Sequence, residues 1–400
     1  LGKRMTLQAG IRFDNIQPTG IWTTKKNTVA APRFNWSYEV MRDLTLRAGW
    51  GITAKAPTLL YLYPQNAYFD LVNFNRYSSN PKESLVYLTT RVFNTENPDL
   101  RVMKTNKAEI GFDLNLGKKK RLTVMAYHEK TNNGYDFDYS FNSVQIVPLE
   151  IYDTISTTPG QKPEVNTNTD SFVNFIADYM MPLNFITNTN RGIEFDFDMG
   201  RIDAIRTTFI LNGAYMQSKS VTSDYTIMKK QAGGRDPERI AVFDKGRGKK
   251  YDRFNSTLRI IHNIPEFRFV VSLAIQTIWM ERERNIGYDS VAIGYISRAT
   301  GDFRLLDKAE RDALYNGPNT TSRAELVENF AEGYHNVEKW KPVWLFNLRL
   351  SKDIGKNFSF AFFANNVFSH QPLVRNTRFT TNYSRRNPDL FFGTEVTIKL

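Results

Sequence analysis

The sequence predicts an all-β chain, an antiparallel transmembrane β-barrel. Three observations predict it. Segments of about ten residues place apolar side chains at every second position, the period that sends successive side chains to opposite faces of a sheet. Between these segments, very short connections alternate with long polar ones, a pattern uncommon in compact soluble domains and normal in membrane barrels. Aromatic residues are abundant (29 Phe, 19 Tyr and 6 Trp) in a chain that is nonetheless 24% charged.

The strands can be justified in order. Met5, Leu7, Ala9 and Ile11 open the series, followed by Phe34, Trp36, Tyr38 and Val40, then Leu44, Leu46, Ala48, Trp50 and Ile52. Ala108 to Leu116 and Leu122 to Ala126 repeat the alternation, as do Ile193 to Met199 and Ile205 to Tyr215. Phe254 to Ile260, Phe267 to Ile275, Trp344 to Leu350, Phe358 to Phe362 and Phe392 to Leu400 complete it. These make about twelve strands near the nine to eleven residues that cross a bilayer at a tilt, whereas soluble strands usually stop at about five or six.

Met41–Asp43, Gly117–Lys120, Gly200–Asp203, Asn263–Pro265 and Lys352–Lys356 are the short connections. If they are periplasmic, the first strand rises and the last descends, both chain ends lie on one side, and the long loops are extracellular. Hydrocarbon supplies no water to satisfy backbone groups, so such a sheet must close on itself. Alternate positions then face lipid, and Arg47, Glu109, Glu194, Arg268 and Gln276 are expected to face the lumen. Trp50, Trp279, Trp340 and Trp344 fall near predicted strand ends, where interfacial belts form.

Other classes are excluded or weakened. No apolar run approaches the roughly 18 residues of a spanning helix; the best, Phe269 to Ile275, is interrupted by Ser272. Without Cys there is neither a disulfide framework nor a thiolate metal site. The net charge of +12 includes clusters such as Gly117-Lys118-Lys119-Lys120-Arg121 and Lys245-Gly246-Arg247-Gly248-Lys249-Lys250. Lying between strands, these read as solvated turns or lipid-headgroup contacts rather than nucleic-acid sites.

His128, His262, His335 and His370 lack paired spacing, and Asp136 with Asp138 lacks the ligand count of a calcium loop, so no metal or other cofactor is expected. Gly233-Gly234 has no phosphate-loop sequel, and no nucleophile elbow or triad appears, so no enzyme is indicated. Leu306 to Tyr315 and Ser322 to Phe330 have helical composition, with a capping box expected at Ser322 and Glu325. The long loop after Pro57 gathers Tyr61, Tyr63, Tyr68, Phe69, Phe74 and Tyr77, rings that could stack on a solute or pack the loop onto its neighbours.

Several stretches resemble one family. Arg47 to Leu59, with Ala56-Pro57, is similar to the segment where a strand ends and an Ala-Pro pair opens an extracellular loop, and Tyr61 continues the likeness. Asn97-Pro98-Asp99-Leu100-Arg101, followed by Lys104, Glu109 and Gly111, resembles the Asn-Pro-x-Leu motif of TonB-dependent receptors; Val102-Met103 stands where the family commonly has Pro-Glu. Arg191-Gly192-Ile193-Glu194 and Asn365-Asn366-Val367-Phe368 resemble further family segments, and Phe392 to Leu400 resembles an outer-membrane assembly signal that usually ends in an aromatic residue.

The resemblance implies residues 1–400 as one barrel domain, the later, C-terminal part of a typically 22-stranded plugged barrel, with Bacteroidetes-like loops. The chain starts at Leu1 without Met and lacks the charged and apolar regions of a signal peptide, which fits either a mature protein or a fragment; the resemblance favours a fragment lacking plug, early strands and TonB-contacting segment. It further implies the outer membrane of a Gram-negative bacterium, with outer-membrane lipids, the TonB complex through the missing N-terminal region, and a surface lipoprotein as partners. The implied function is energy-coupled import of a scarce or large solute: siderophore, cobalamin, oligosaccharide or peptide. A passive porin, an outer-membrane barrel enzyme and a soluble β-protein are the alternatives.

Overall fold

The structure, a computed structural model, describes residues 2, 4–15, 28–117, 119–231 and 235–398; Lys118, Gly233, Gly234 and Leu400 lie outside them. Twelve strands run in sequence order through one antiparallel sheet: β1 (Met5–Asn15), β2 (Thr28–Met41), β3 (Leu44–Lys55), β4 (Met103–Asn115), β5 (Arg121–Asp138), β6 (Met181–Ile202), β7 (Thr207–Thr222), β8 (Gly248–Ile264), β9 (Phe269–Ile286), β10 (Val343–Ile354), β11 (Phe358–Asn365) and β12 (Phe391–Ile398). Each of the twelve alternating segments lies largely on one of these strands, as period and length predicted. Among the described residues no pairing joins β1 to β12.

Cross-strand register lines the side chains into two unlike faces. Ala48, Ile110, Ala126, Ile193, Tyr215, Phe254 and Met280 pair in succession from β3 to β9 on one face. On the other, Thr45, Asp113, Thr123, Asp196, Asn212, Thr257 and Gln276 do the same. A one-residue slip would exchange the faces, so the alternation itself specifies the register. Large apolar side chains such as Ile11, Phe34, Ile110 and Ile193 are exposed on the first face, as a lipid-facing surface requires.

The short-turn end is built from left-handed residues. Gly117, Gly200 and Gly355 have positive φ, and 3-10 turns at Asp203–Ile205 and Pro265–Phe267 are closed by Arg206 and Arg268, each at φ 50°. This corrects three sequence expectations. Ile205 and Phe267 lie in these turns rather than on strands, and Arg268 is not on the lumen wall: its guanidinium donates to the Gly355 carbonyl of the neighbouring turn, 3.0 Å away. Counting apolar alternation outward from a strand cannot see that Pro265 has already ended it.

The chain's buried apolar core lies in the long connections. Segments 139–180, 223–247 and 287–342 share one cluster of Val144, Ile176, Ile227, Ile240, Val242 and Ile296. A second contains Ala241, Phe243, Ala292, Leu306 and Leu326. Both are organised by a four-stranded sheet of Thr226–Met228, Arg239–Phe243, Gly294–Ser297 and Phe303–Leu305. Two helices cover it, α1 (Lys308–Asn316) and α2 (Thr321–Leu326).

Their caps differ from expectation. Asp307 and Glu310 form the capping box of α1, and Thr320 caps α2 by accepting from the Arg323 amide. Ser322 lies inside α2, while Glu325 is buried and accepts from the Glu238 amide (2.8 Å) and Arg239 Nε (3.1 Å). A tertiary partner therefore took the carboxylate that local spacing assigned to a cap.

Candidate functional site

Two surfaces meet at the long-loop end: the polar face of the sheet and the crown of folded loops above it. On the polar face, Arg47, Gly111, Met125, Glu194 and Ala214 are register partners in succession. Glu109, Tyr127, Gly192, Met216, Arg253 and Glu281 form the next row towards the loops. Arg47, Glu109, Glu194 and Gln276 therefore all occur on this face. Arg47 binds Asp113, which also accepts from Arg121 and Thr123 (2.9 and 2.7 Å).

Glu109 pairs with Lys107 at 2.9 Å, and both line a recess with Tyr127, Glu129, Glu194 and Tyr251. Three carboxylates around one ammonium leave local negative charge. Nearer the loops, Tyr251 donates to Glu281 at 2.5 Å, Arg386 pairs with the same carboxylate, and Arg386 lies 5.2 Å from the Trp340 ring centre. Trp340 is thus engaged at the mouth instead of the lipid belt predicted for it, because its short strand, Glu338–Trp340, pairs to the upper part of β9. Trp279 and Trp344 do meet, edge to face at 4.9 Å.

The motif at Asn97 closes the first long loop onto the barrel. Asn97 accepts from the Asp99 amide and donates to the Pro182 carbonyl, 2.9 and 2.8 Å away, while Leu100 is fully buried. Asn184 completes the clasp. It accepts from the Arg101 amide and donates to the Arg101 and Asn133 carbonyls at 2.6, 2.8 and 2.9 Å. Val102 is buried and the Met103 amide donates to Tyr135, whose hydroxyl donates to the Lys55 carbonyl, so the loop's two ends are held together. Pro57, after Ala56, is buried beside the short helix Leu59–Leu62.

The six loop aromatics separate. Tyr61 packs on Phe137 and Tyr135, with centroids 5.1 and 5.3 Å apart, and Phe69 meets Phe93 and Phe175 edge to face. Tyr68 is on the opposite side of the Ala67–Arg76 strand from Phe69 and is 67% exposed; Tyr63 and Tyr77 are 51% and 90% exposed, and Phe74 is half-buried. Three rings are therefore open to a solute and two are occupied in packing. Composition alone could not separate them, since the facing of Tyr68, Phe69 and Phe74 is decided by the hairpin with Leu85–Phe93 and that of Tyr61 by the helix Leu59–Leu62.

Sequence reading missed a polar recess of about 580 Å³ between segments 223–247 and 287–342, lined by Asp244, Tyr288, Asp289, Arg311 and His335 among others. Arg311 pairs with Asp289 at 2.7 Å. Burial, with Tyr288 alongside, pushes the neighbouring Tyr334 hydroxyl up to about 12, so it remains a neutral phenol. These residues are scattered through the sequence, and only the loop fold assembles them.

The crown is cross-bolted by polar contacts. Buried Asn73 donates to the Glu150 carbonyl and its own carbonyl accepts from the Tyr152 amide, both at 2.9 Å. Glu83 reaches the next loop, accepting from the Gly160 amide at 2.8 Å; this bond, followed by Ser78, holds its carboxyl below the usual value of 4.5. A depressed carboxyl stabilises above its unfolded value, and the contribution disappears as pH falls through the folded one. Hydrogen exchange, corrected for intrinsic rate, should show Gly160 protection steady above about pH 5 and falling below 4.5. Glu83→Gln should weaken that protection at neutral pH and flatten its pH dependence; native-like protection and pH dependence in Glu83→Gln would remove the carboxylate from the account.

Residues 1–367 match the family described as TonB dependent receptor-like, beta-barrel. No curated protein sequence matches the chain. Among solved structures it is similar to the siderophore receptor PirA from Acinetobacter baumannii, with TM-score 0.53 and 13% identity, covering 99% of this chain and 44% of that one. It is also similar to the outer membrane transporter YddB from Escherichia coli, with TM-score 0.55 and 12% identity over 100% and 43% of the respective chains. A mutant ferric enterobactin receptor (PfeA) from Pseudomonas aeruginosa, solved with enterobactin, gives TM-score 0.53 and 12% identity over 100% and 43%. The chain spans less than half the length of these three proteins.

Proposed function

This chain belongs to the TonB-dependent receptor-like β-barrel family of the outer membrane, and from that premise we propose that it serves TonB-dependent, energy-coupled import of a scarce or large solute. The observation that carries this reading is the cross-bolted crown of loops over a polar wall. A passive pore needs an open path, whereas a receptor needs a pre-formed surface that binds before anything opens. Siderophores lead the solute classes, because two of the similar structures are named as receptors for a siderophore or ferric enterobactin; cobalamin, oligosaccharides and peptides follow.

The twelve strands are read as the later portion of a larger barrel domain whose remaining strands, plug and TonB-contacting segment complete the transporter. Two facts support this: β1 and β12 have no mutual pairing among the described residues, and the related barrels are more than twice as long. An unpaired edge in hydrocarbon would leave a row of backbone groups unsatisfied. The loop texture fits a Bacteroidetes source, and the functional reading is transport rather than enzymatic turnover.

Uptake in cells carrying the native full-length gene tests the proposal. Labelled ferric siderophores, cobalamin, an oligosaccharide and a peptide should be supplied with and without TonB, and before and after collapse of the proton gradient. One solute should accumulate only in energised cells containing TonB. Uptake that rises linearly with concentration and survives loss of energy would overturn the reading in favour of a pore. For that solute, the triple substitution Tyr63→Ala, Tyr68→Ala and Tyr77→Ala should weaken binding at least tenfold without altering assembly, since stacking on each ring contributes about 0.5–1.5 kcal/mol. Unchanged affinity would remove these rings from the binding surface.

A further inference from the structure

On the lipid-facing side of the sheet, the apolar band gives way to basic residues in two adjacent rows of the register. From the periplasmic turns upward, the outer positions of β5 are Leu122, Val124 and Ala126, then His128 and Lys130; those of β7 end in Gln217 and Lys219. The same sequence on β6, β8 and β9 arrives at Arg191, Lys250, Arg282 and Arg284. All stand beyond the first nine or so residues of their strands, where a tilted strand leaves the hydrocarbon.

The register makes this arrangement unfavourable by itself. Lys219 is directly opposite Lys250, and Lys250 is directly opposite Arg284. Like charges directly opposed across a sheet are destabilising. The nearby outward carboxylate, Asp252, is directly opposite Arg282 but makes no ion pair with it among the described residues, and accepts instead from Gln217 at 2.6 Å and Tyr215 at 3.4 Å. Among the described residues, Lys130, Lys219, Lys250, Arg282 and Arg284 have no ion pair or side-chain hydrogen bond. All but half-buried Lys250 are exposed.

The basic sequence cluster at 245–250 is resolved into three roles. Arg247 is buried against Glu328 in the loop core, Lys249 pairs with Glu283 on the polar face, and Lys250 alone reaches the lipid side. We propose that Lys130, Arg191, Lys219, Lys250, Arg282 and Arg284 form a docking strip for a multiply phosphorylated lipid of the outer leaflet, its acyl chains on the apolar band and its phosphates between the opposed cations. Charge complementarity identifies the headgroup, and continuity with the hydrocarbon-facing surface identifies a lipid rather than a free anion. This inference requires an outer-membrane barrel and is independent of solute import.

Full-length protein in nanodiscs of neutral lipid should receive trace lipid A bearing two phosphates, the same lipid without phosphates, or inorganic phosphate alone. Retention of the bisphosphorylated form should exceed that of the dephosphorylated form at least tenfold. Combined Lys130→Gln, Lys219→Gln, Lys250→Gln and Arg284→Gln should abolish that preference, while Lys82→Gln, Lys162→Gln, Lys308→Gln and Lys341→Gln, which remove equal charge from the loops, should preserve it. Equal loss in both variants, or none in the first, overturns the strip; saturation by millimolar inorganic phosphate overturns the lipid assignment. Should the strip variant fail to assemble, acetylation footprinting of the native protein decides: the bisphosphorylated lipid must protect Lys130 and Lys219, and equal labelling with and without it refutes the proposal.

Discussion

Replacing Arg247 by Ala is expected to open the extracellular crown while leaving the barrel assembled. The Arg247 side chain is 4% exposed, pairs with Glu328 at 2.8 Å and donates to the Asp289 carbonyl at 2.8 Å. Its guanidinium lies 3.8 Å from the ring centre of Phe243, itself buried in the second loop core. The single side chain therefore joins segment 223–247 to segment 287–342 by charge, by hydrogen bond and by its place 5.2 Å from the Tyr288 ring centre. Removing one partner of a buried pair strands the other, at a cost of about 3–5 kcal/mol; because Glu328 is 21% exposed, the lower end applies.

That corresponds to roughly a hundredfold rise in local opening at 1.4 kcal/mol per decade. Hydrogen exchange or protease nicking of 287–342 reads it directly, and heat-modifiable gel mobility reports the barrel separately. Lys230 supplies an internal comparison. It is 5.5 Å from the same Phe243 ring, burial holds its ammonium below the usual lysine value, and its Nζ donates to the Val327 carbonyl at 2.8 Å instead of reaching Glu328. The double change Arg247→Met with Glu328→Met should recover most of the loss, because neither charge then remains to be desolvated. Native protection in Arg247→Ala would show that the two loops are held by their apolar core alone.

This arginine marks where sequence reading ends. The barrel was legible because lipid on one side and water on the other impose a strict two-residue period, and a bilayer sets the segment length. Both signals are local. The crown obeys neither: Arg239–Phe243 is five residues long and is mostly buried, so it carries no alternation to read. Its partners at 226–228 and 294–297 are brought in by a fold that local spacing does not encode.

The candidate site shows the same division. Parity along a strand groups Arg47, Glu109, Glu194 and Gln276 on one face, because each sits within a regular ladder. Arg268 escaped that logic where a turn replaced the ladder. The loop aromatics escaped it because Tyr61 and Phe69 spend their faces on rings from other segments, Phe137 and Phe175. The Asn97 motif was recognisable as a pattern, yet its physical role depends on Asn184, more than eighty residues away.

Gly111 gives the sharpest test of the barrel wall itself. Its place in the resemblance has a steric reason: a Cβ there would stand 2.2 Å from the Val124 carbonyl oxygen and 2.9 Å from Met125 Sδ. The methionine can move, but the carbonyl belongs to the backbone of β5, and turning it aside would break the ladder within the bilayer. Overpacking costs about 1–3 kcal/mol, and an unsatisfied backbone group in hydrocarbon costs several more. Gly111→Val should therefore largely abolish assembled, heat-modifiable barrel, with Gly111→Ala intermediate. Gly51→Val is the matched control, since it too lies between two paired strands and a Cβ there would meet nothing nearer than the flexible Arg33 side chain at 3.3 Å and the Pro32 carbonyl oxygen at 3.4 Å. Equal assembly of Gly111→Val and Gly51→Val would mean that β4 and β5 separate more readily than their continuous twelve-pair register from Lys104–Asn132 to Asn115–Arg121 implies.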